Sequence, residues 1–183
     1  MHEELIIAGA GGQGIVLMGE LLCLSAMEEK NTTGFPSYGA AMRSGKATYT
    51  VIISSDEIGS PISEHPDSLI VMNKLSLAEF AKIVQPKGLI IINKSLVDWQ
   101  NLRDDVNVLE IKATDIAQEL GDSRAANLVM LGFYIKIKET VSLGSVKRAL
   151  KELLLEKGWN KDLIELNQKA LERGFKEINK PCA

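Results

Sequence analysis

The chain has few of the side chains that hold metals and iron–sulfur clusters. Its 183 residues include only two cysteines and two histidines. Cys23 lies in an apolar run and Cys182 near the last residue, whereas His2 and His65 form no metal-ligand spacing with them. A cluster of the usual kind needs four thiolates. The sequence therefore predicts no metal site in this chain, and Cys23 is expected to be a small core residue.

The chain also lacks an excess of positive charge and a long hydrophobic run. It has 21 Lys and Arg against 24 Asp and Glu, a formal net charge of −3, with the basic residues dispersed. This balance argues against a nucleic-acid partner. No apolar run approaches the roughly 20 residues of a membrane span. The first residues also lack the basic-then-apolar pattern of a signal peptide. The expected location is the cytoplasm, without a membrane partner.

An apolar fraction of 45% at this length suits a single domain, which is predicted to span residues 1–183. Short apolar runs alternate with helix-length segments, which is typical of an α/β fold. The fold expected is one doubly wound, Rossmann-like domain with a mostly parallel sheet, helices on both sheet faces and a helical C-terminal third. Strands are predicted at 5–8, 46–53, 69–72, 89–92 and 106–111, and helices at 15–30, 76–84, 114–120, 126–137, 145–157 and 161–175.

Two stretches of this pattern are less regular. Residues 34–45 and 54–66 are predicted to be loops, and the first is long enough to suggest a function. No clear helix connects Thr33 to Lys46, so an antiparallel neighbour is allowed there. Ser76 is predicted to cap the helix that starts there, with Glu79 as its capping-box partner.

A glycine-rich turn follows the first predicted strand. Residues 9–14, Gly-Ala-Gly-Gly-Gln-Gly, fit G-x-G-x-x-G between a strand and a helix. Glycines allow positive φ and let backbone N–H groups approach an anion at a helix N-terminus. The alternative is a tight turn without a ligand. An NAD site would place an acidic residue about 20 positions on, but Asn31-Thr32-Thr33 offers none. Phosphate binding is therefore favoured over nicotinamide chemistry. The candidate binding residues here are Gly9, Gly11, Gly12, Gln13 and Gly14.

The loop at 34–45 supplies the other candidates, Ser37, Tyr38 and Arg43. Arg43 is suited to pair with a phosphate or carboxylate, and Tyr38 to stack or hydrogen-bond. In the alternative interpretation Tyr38 fills the edge of the core, and Arg43 lies on the surface or in a subunit interface.

Together the two segments resemble a known family. Residues 9–15 (Gly-Ala-Gly-Gly-Gln-Gly-Ile) and 37–45 (Ser-Tyr-Gly-Ala-Ala-Met-Arg-Ser-Gly) are similar to the gamma subunit of 2-oxoacid:ferredoxin oxidoreductases, whose pattern is G-x-G-G-Q-G and then S-Y-G…R-G-G. Ser44 stands where that family usually has Gly. Later landmarks extend the likeness from about residue 4 to 176, namely Asp67–Met72, Asn127, Leu131-Gly132 and Asn167–Ala170.

The resemblance implies a role in CoA-dependent oxidative decarboxylation of a 2-oxoacid, with 2-oxoglutarate slightly preferred and ferredoxin as electron acceptor. It implies alpha, beta and ferredoxin-like delta subunits as partners, which hold thiamine diphosphate, Mg and 4Fe-4S clusters. No thiamine-diphosphate motif is found here: Gly121-Asp122-Ser123 with Asn127 lacks a second Gly and is too short. No catalytic residue is assigned. The alternatives are a stand-alone Rossmann-like nucleotide-binding oxidoreductase and a non-catalytic interaction domain.

Overall fold

The computed structural model describes residues 1–39, 45–100 and 102–177, which form a six-stranded sheet and six α-helices. The strands are β1 (His2–Ala10), β2 (Asn31–Tyr38), β3 (Lys46–Ser54), β4 (Ser68–Val71), β5 (Leu89–Asn93) and β6 (Asn107–Ile111). The helices are α1 (Ile15–Ala26), α2 (Lys74–Phe80), α3 (Ala113–Glu119), α4 (Ala126–Lys138), α5 (Leu143–Glu156) and α6 (Lys161–Lys176), with 3₁₀ turns at Ala81–Ile83 and Ser123–Ala125.

The strand order is β2-β3-β1-β4-β5-β6. Strands β1, β4, β5 and β6 run parallel, whereas β3 is antiparallel to both β1 and β2. Strands β4 and β5 are buried throughout, which agrees with their continuous apolar runs. The mostly parallel α/β fold predicted from the sequence is therefore confirmed.

Three local predictions are wrong. The first half of the 34–45 segment is not a loop, because residues up to Tyr38 continue β2 along β3. Pro36 is tolerated there because β2 is an edge strand. Helix α1 ends at Ala26 rather than near residue 30. Finally, Asn73 rather than Ser76 caps α2, since its side-chain oxygen accepts a 2.9 Å hydrogen bond from the Ser76 N–H.

The two faces of the sheet are covered unequally. The larger core lies under α1 and α3–α6. The smaller core lies under α2 and its 3₁₀ turn, where Leu77, Ala81 and Val97 pack on the strands. Within the larger core α4 is buried from Ala126 to Ile135. Helices thus lie on both faces, as predicted, but the second face has a single short α-helix among the described residues.

Cys23 is half-buried on α1 beside the Tyr49 ring. Burial raises the pKa of its thiol, and burial also raises the pKa of Tyr49 to about 12. The thiol therefore stays protonated at neutral pH, which agrees with the role expected of a core residue. Cys182 lies outside the described residues. No helix in the described ranges is long and apolar enough to span a membrane.

Candidate functional site

The glycine-rich turn joins β1 to α1 in a conformation that requires glycine. Gly12 has φ +95° and Gly14 has φ +70°, a region that residues with a Cβ rarely adopt. Gly14 is the N-cap residue of α1, and no side chain caps that helix among the described residues. The N-terminal end of a 12-residue helix is thereby left without a side-chain cap at the carboxyl end of β1.

Not every backbone N–H of the turn is available to a ligand. The Gly11 N–H donates to the Gly45 carbonyl at 2.9 Å, and the Gln13 N–H donates to the Ala10 carbonyl at 3.1 Å. Within residues 1–39, 45–100 and 102–177, the N–H groups of Gly12 and Gly14 have no acceptor. These two groups, with the first turn of α1, form the anion-attracting end of the site.

Two of the predicted binding residues have clear structural roles. Gly9 is needed for packing, because a Cβ there would lie 2.6 Å from Ile15 Cδ1. The side-chain amide of Gln13 connects the turn to the end of β4 through hydrogen bonds. Its Oε1 accepts from the Ala10 N–H (2.7 Å) and from Asn73 Nδ2 (3.1 Å), and its Nε2 donates to the Met72 carbonyl (3.2 Å).

Asn127, at the start of α4, packs directly against the turn. Its side chain is 3% exposed, and its Nδ2 donates to the Gly14 carbonyl at 3.3 Å. A Cβ on residue 14 would overlap that amide. Gly14 is therefore required twice, by its positive φ and by the close approach of Asn127.

Of the 37–45 segment, the structure describes residues 37–39 and 45. The Gly45 carbonyl accepts the Gly11 N–H and so lies beside the turn, and the Gly39 N–H donates to the Lys46 carbonyl at 2.8 Å. Lys46 also pairs with Glu79 and lies 4.8 Å from the centre of the Phe80 ring. Residues 40–44, and with them the predicted Arg43, lie outside the described residues.

These elements border a cleft of about 490 Å³, here called the glycine cleft. Four predicted residues line it: Gly11, Gly12, Gly14 and Tyr38. Gly9, Gln13 and Ser37 do not. The other lining residues come from the start of α1, from β3, from the 122–127 segment and from the α5–α6 region: Ala10, Ile15, Val16, Leu17, Ala47, Asp122, Arg124, Ala125, Asn127, Trp159, Leu163, Leu166 and Asn167.

Sequence reasoning identified Asn127 and Asn167 only as landmarks of the resemblance, yet both line this cleft. Asn167 Nδ2 donates to the Leu163 carbonyl at 2.6 Å, which fixes the orientation of its amide on α6. Trp159 and Tyr38 were not expected to share a cavity, because they are 121 positions apart in the chain. The fold brings these two residues to the same cleft.

Asp122 has a structural explanation as well. Its carboxylate caps the 3₁₀ turn by accepting from the Arg124 N–H at 2.9 Å, and it pairs with the Arg124 guanidinium at 2.6 Å. Hydrogen bonding to the Arg124 side chain lowers the pKa of Asp122. The fragment that partly matched a thiamine-diphosphate motif is thus a helix cap at the edge of the cleft.

The cleft combines an apolar wall with one anion-attracting end, which suits an elongated ligand carrying a phosphate or carboxylate. Among the described residues that line it, no nucleophile is paired with a base. In the part of the chain that the structure describes, no group of three His, Cys, Asp or Glu side chains could hold a metal ion.

Comparisons with known proteins identify relatives of this chain. The chain is 34% identical over 170 residues to ketoisovalerate oxidoreductase subunit VorA of Methanothermobacter marburgensis, covering 92% of this chain and 35% of that protein. It is 28% identical over 172 residues to 2-oxoglutarate synthase subunit KorC of Methanocaldococcus jannaschii, covering 92% of each. The chain thus spans about a third of the VorA relative's length and nearly all of the KorC relative's.

Solved structures share the fold. The gamma subunit of the keto/oxoacid ferredoxin oxidoreductase from Geobacter sulfurreducens superposes with a TM-score of 0.79 at 24% identity, covering 95% of this chain and 96% of that one. The 2-oxoglutarate:ferredoxin oxidoreductase of Magnetococcus marinus, solved with 2-oxoglutarate, coenzyme A and succinyl-CoA, gives 0.85 at 20% identity, covering 95% and 30%.

A family assignment covers almost the whole chain and confirms the resemblance seen in the motifs. Residues 4–177 match the family described as pyruvate ferredoxin/flavodoxin oxidoreductase. That span includes the glycine-rich turn, Asn127 and Asn167. The chain belongs to the pyruvate ferredoxin/flavodoxin oxidoreductase family.

Proposed function

We propose that this chain is the gamma-type subunit of a 2-oxoacid:ferredoxin oxidoreductase and that its glycine cleft receives the phosphate-bearing part of CoA. The enzyme would remove CO₂ from a 2-oxoacid, join the acyl group to the CoA thiol and pass the electrons singly to ferredoxin. One observation carries the ligand proposal: Gly12 and Gly14 line the glycine cleft, and their N–H groups have no acceptor within residues 1–39, 45–100 and 102–177.

Two features support CoA as the ligand. The first is chemical, since CoA carries anionic phosphates at one part and an uncharged, partly apolar pantetheine chain at another, which suit the free N–H groups and the apolar wall of the cleft. The second is the Magnetococcus enzyme, which was solved with CoA and shares this fold. The relatives' names include ketoisovalerate, 2-oxoglutarate and pyruvate enzymes. A 2-oxoacid is therefore the substrate class proposed, rather than the single acid preferred from the sequence.

The redox cofactors do not fit this chain. Cys23 is half-buried beside Tyr49 with a raised pKa, and two cysteines cannot supply four thiolates. Asp122, the nearest match to a thiamine-diphosphate motif, is committed to capping and to Arg124. We assign thiamine diphosphate, Mg and the 4Fe-4S clusters to alpha, beta and delta partners, and the location of the assembly to the cytoplasm.

The isolated chain is expected to be colourless and inactive with a 2-oxoacid, CoA and a dye acceptor. Mixing it with the three partner subunits should restore turnover, because the cofactors enter with the partners. Absorbance spectra and an acceptor-reduction assay measure both results. Cluster absorbance or turnover by the pure chain would contradict the assignment of cofactors to the partners.

Arg43→Ala is expected to raise the KM for CoA by roughly 10- to 100-fold with kcat nearly unchanged. The reason is the loss of one charge-assisted hydrogen bond, typically about 1.5–3 kcal/mol. Steady-state kinetics of the assembled enzyme gives both constants, and gel filtration tests assembly. Arg148→Ala is the matched control, because Arg148 is exposed on α5 and pairs with Glu28. Failure to assemble would favour an interface role for Arg43, and an unchanged KM would exclude a ligand role.

A further inference from the structure

A second groove lies on the opposite face of the sheet from the glycine cleft. It has a volume of about 600 Å³ and runs between α2 with its 3₁₀ turn on one side and residues 98–100 and 102–103 on the other. We call it the α2 groove. The lining residues are Lys74, Leu77, Ala78, Ala81, Lys82, Asp98, Trp99, Gln100, Leu102 and Arg103.

The floor of the α2 groove is apolar and held in place by the fold. Leu77 and Ala81 belong to the smaller core, with Trp99 and Leu102 packed against it. The Trp99 indole N–H donates to Glu110 Oε1 at 2.5 Å, which fixes the ring. The groove therefore exists before any partner arrives.

Arg103 lies at one end of the α2 groove, and its positive charge is paired with a carboxylate of the same chain. Its guanidinium donates to the Val84 carbonyl at 2.7 Å and to the Lys82 carbonyl at 3.0 Å, and it pairs with Asp105 at 2.6 Å. Arg103 thus stabilises the end of the 3₁₀ turn by donating to carbonyl groups there.

The charge available to a partner comes from Lys74 and Lys82. They stand eight residues apart on one side of the groove with Ala78 between them, a separation of roughly 12 Å along the helix axis. Both are exposed. The acidic side chains nearby have other partners: Glu79 pairs with Lys46, Asp98 with Lys94, and Asp105 with Arg103.

This arrangement fits a polypeptide better than a small molecule. Small-molecule sites converge a few polar groups on one point, whereas these two ammonium groups are spaced along an open groove. Ala78 and Ala81 leave room for a helix to approach closely. Leu75, 83% exposed at the start of α2, extends the apolar surface beyond the groove. An amphipathic helix with carboxylates about two turns apart would match both the floor and the lysines.

We infer that the α2 groove docks an acidic amphipathic helix from another subunit of the enzyme. This inference rests on the proposed function, because that function supplies the partner. The docking site would leave the glycine cleft on the other sheet face open to its ligand.

The test is the double variant Lys74→Glu/Lys82→Glu, with Lys151→Glu/Lys169→Glu as control. The control lysines are exposed on α5 and α6, and the change in net charge is the same. Each chain is titrated into the purified partner subunits, and Kd is measured at several salt concentrations. The groove variant is expected to bind at least tenfold more weakly with a flatter salt dependence, whereas the control binds like the wild type. Circular dichroism verifies the fold.

A photo-crosslinking residue at position 78 identifies the occupant in the wild-type assembly. The crosslink should map to a partner helix with acidic residues two turns apart. Equal binding by the groove variant and the control overturns the docking site alone. A crosslink to a second copy of this chain overturns it in favour of self-association. Failure of the wild-type chain to bind any partner subunit overturns the proposed function and this inference together.

Discussion

Gly132→Ala is expected to destabilise the protein by about 3 kcal/mol or more, at the upper end of the cost of overpacking a core. Gly132 lies in the buried helix α4, where it meets α6. A Cβ there would overlap the Leu171 carbonyl oxygen and lie 2.9 Å from the Phe175 nitrogen. Because these atoms are backbone, no side-chain rotation can relieve the overlap, and α6 must shift as a unit. Gly174 makes the reciprocal contact with Val129.

Thermal and urea unfolding would measure the effect, which corresponds to a fall in Tm of roughly 6–12 °C for a chain of this size. Gly144→Ala is the matched control, since Gly144 is also helical but a Cβ there would have ordinary contact only, 3.7 Å from Ser142 Oγ. That control should be neutral or stabilise by up to about 1 kcal/mol. Equal stability of the two variants would show that α4 and α6 separate at little cost.

Strands β4 and β5, in the parallel half of the sheet, were predictable from the sequence because they are buried on both faces. Residues 69–72 and 89–92 are continuous apolar runs, and such runs indicate buried strands from the local sequence alone. Strand β2 carries none: it includes Gly34 and Pro36, and most of its residues are exposed or half-buried. What makes it a strand is pairing with β3, a tertiary interaction that no local pattern records.

The candidate site was predictable in part for a similar reason. The glycines at 12 and 14 follow from local backbone requirements, so a motif can reveal them. The role of Gln13 depends on Met72 and Asn73, about 60 positions away. Asn127 lies against the turn because the packing of α4 brings it there. Contacts of this kind, between residues far apart in the chain, decide which residues lie at the cleft. No local motif shows them.

The two ends of the parallel strands carry different kinds of polar group. At the carboxyl end of β1, backbone N–H groups face an open cleft. At the amino end a carboxylate is enclosed: Glu3 is only 4% exposed. Its Oε1 accepts from Ser68 Oγ at 2.6 Å and from the Tyr134 hydroxyl at 3.2 Å, and its Oε2 pairs with Lys138 Nζ at 2.7 Å. Burial, followed by the charge of Glu3, raises the pKa of Tyr134 well above its ordinary value, so the phenol remains a donor.

Glu3→Ala is expected to destabilise the protein by about 2–4 kcal/mol, because it removes the acceptor of two buried hydroxyl groups and the counter-ion of the half-buried Lys138. The substitution leaves the hydroxyl groups of Ser68 and Tyr134 without their acceptor and Lys138 without its counter-ion. An unpaired buried polar group costs about 1–3 kcal/mol, which accounts for the size of the effect. Urea unfolding at pH 7 measures it directly.

The matched control is Glu28→Ala, which removes a carboxylate from the exposed pair with Arg148. Exposed pairs contribute about 0–1 kcal/mol, so this variant should unfold close to the wild type. The double variant Glu3→Ala/Lys138→Met separates the ion pair from the hydroxyl contacts. Removing both charges should recover part of the loss, because the half-buried Lys138 ammonium is then no longer left without its counter-ion. Recovery of all of it would show that the Ser68 and Tyr134 contacts contribute nothing. A Glu3→Ala variant as stable as Glu28→Ala would show that water reaches the hydroxyl groups of Ser68 and Tyr134, and that the carboxylate is not enclosed in solution.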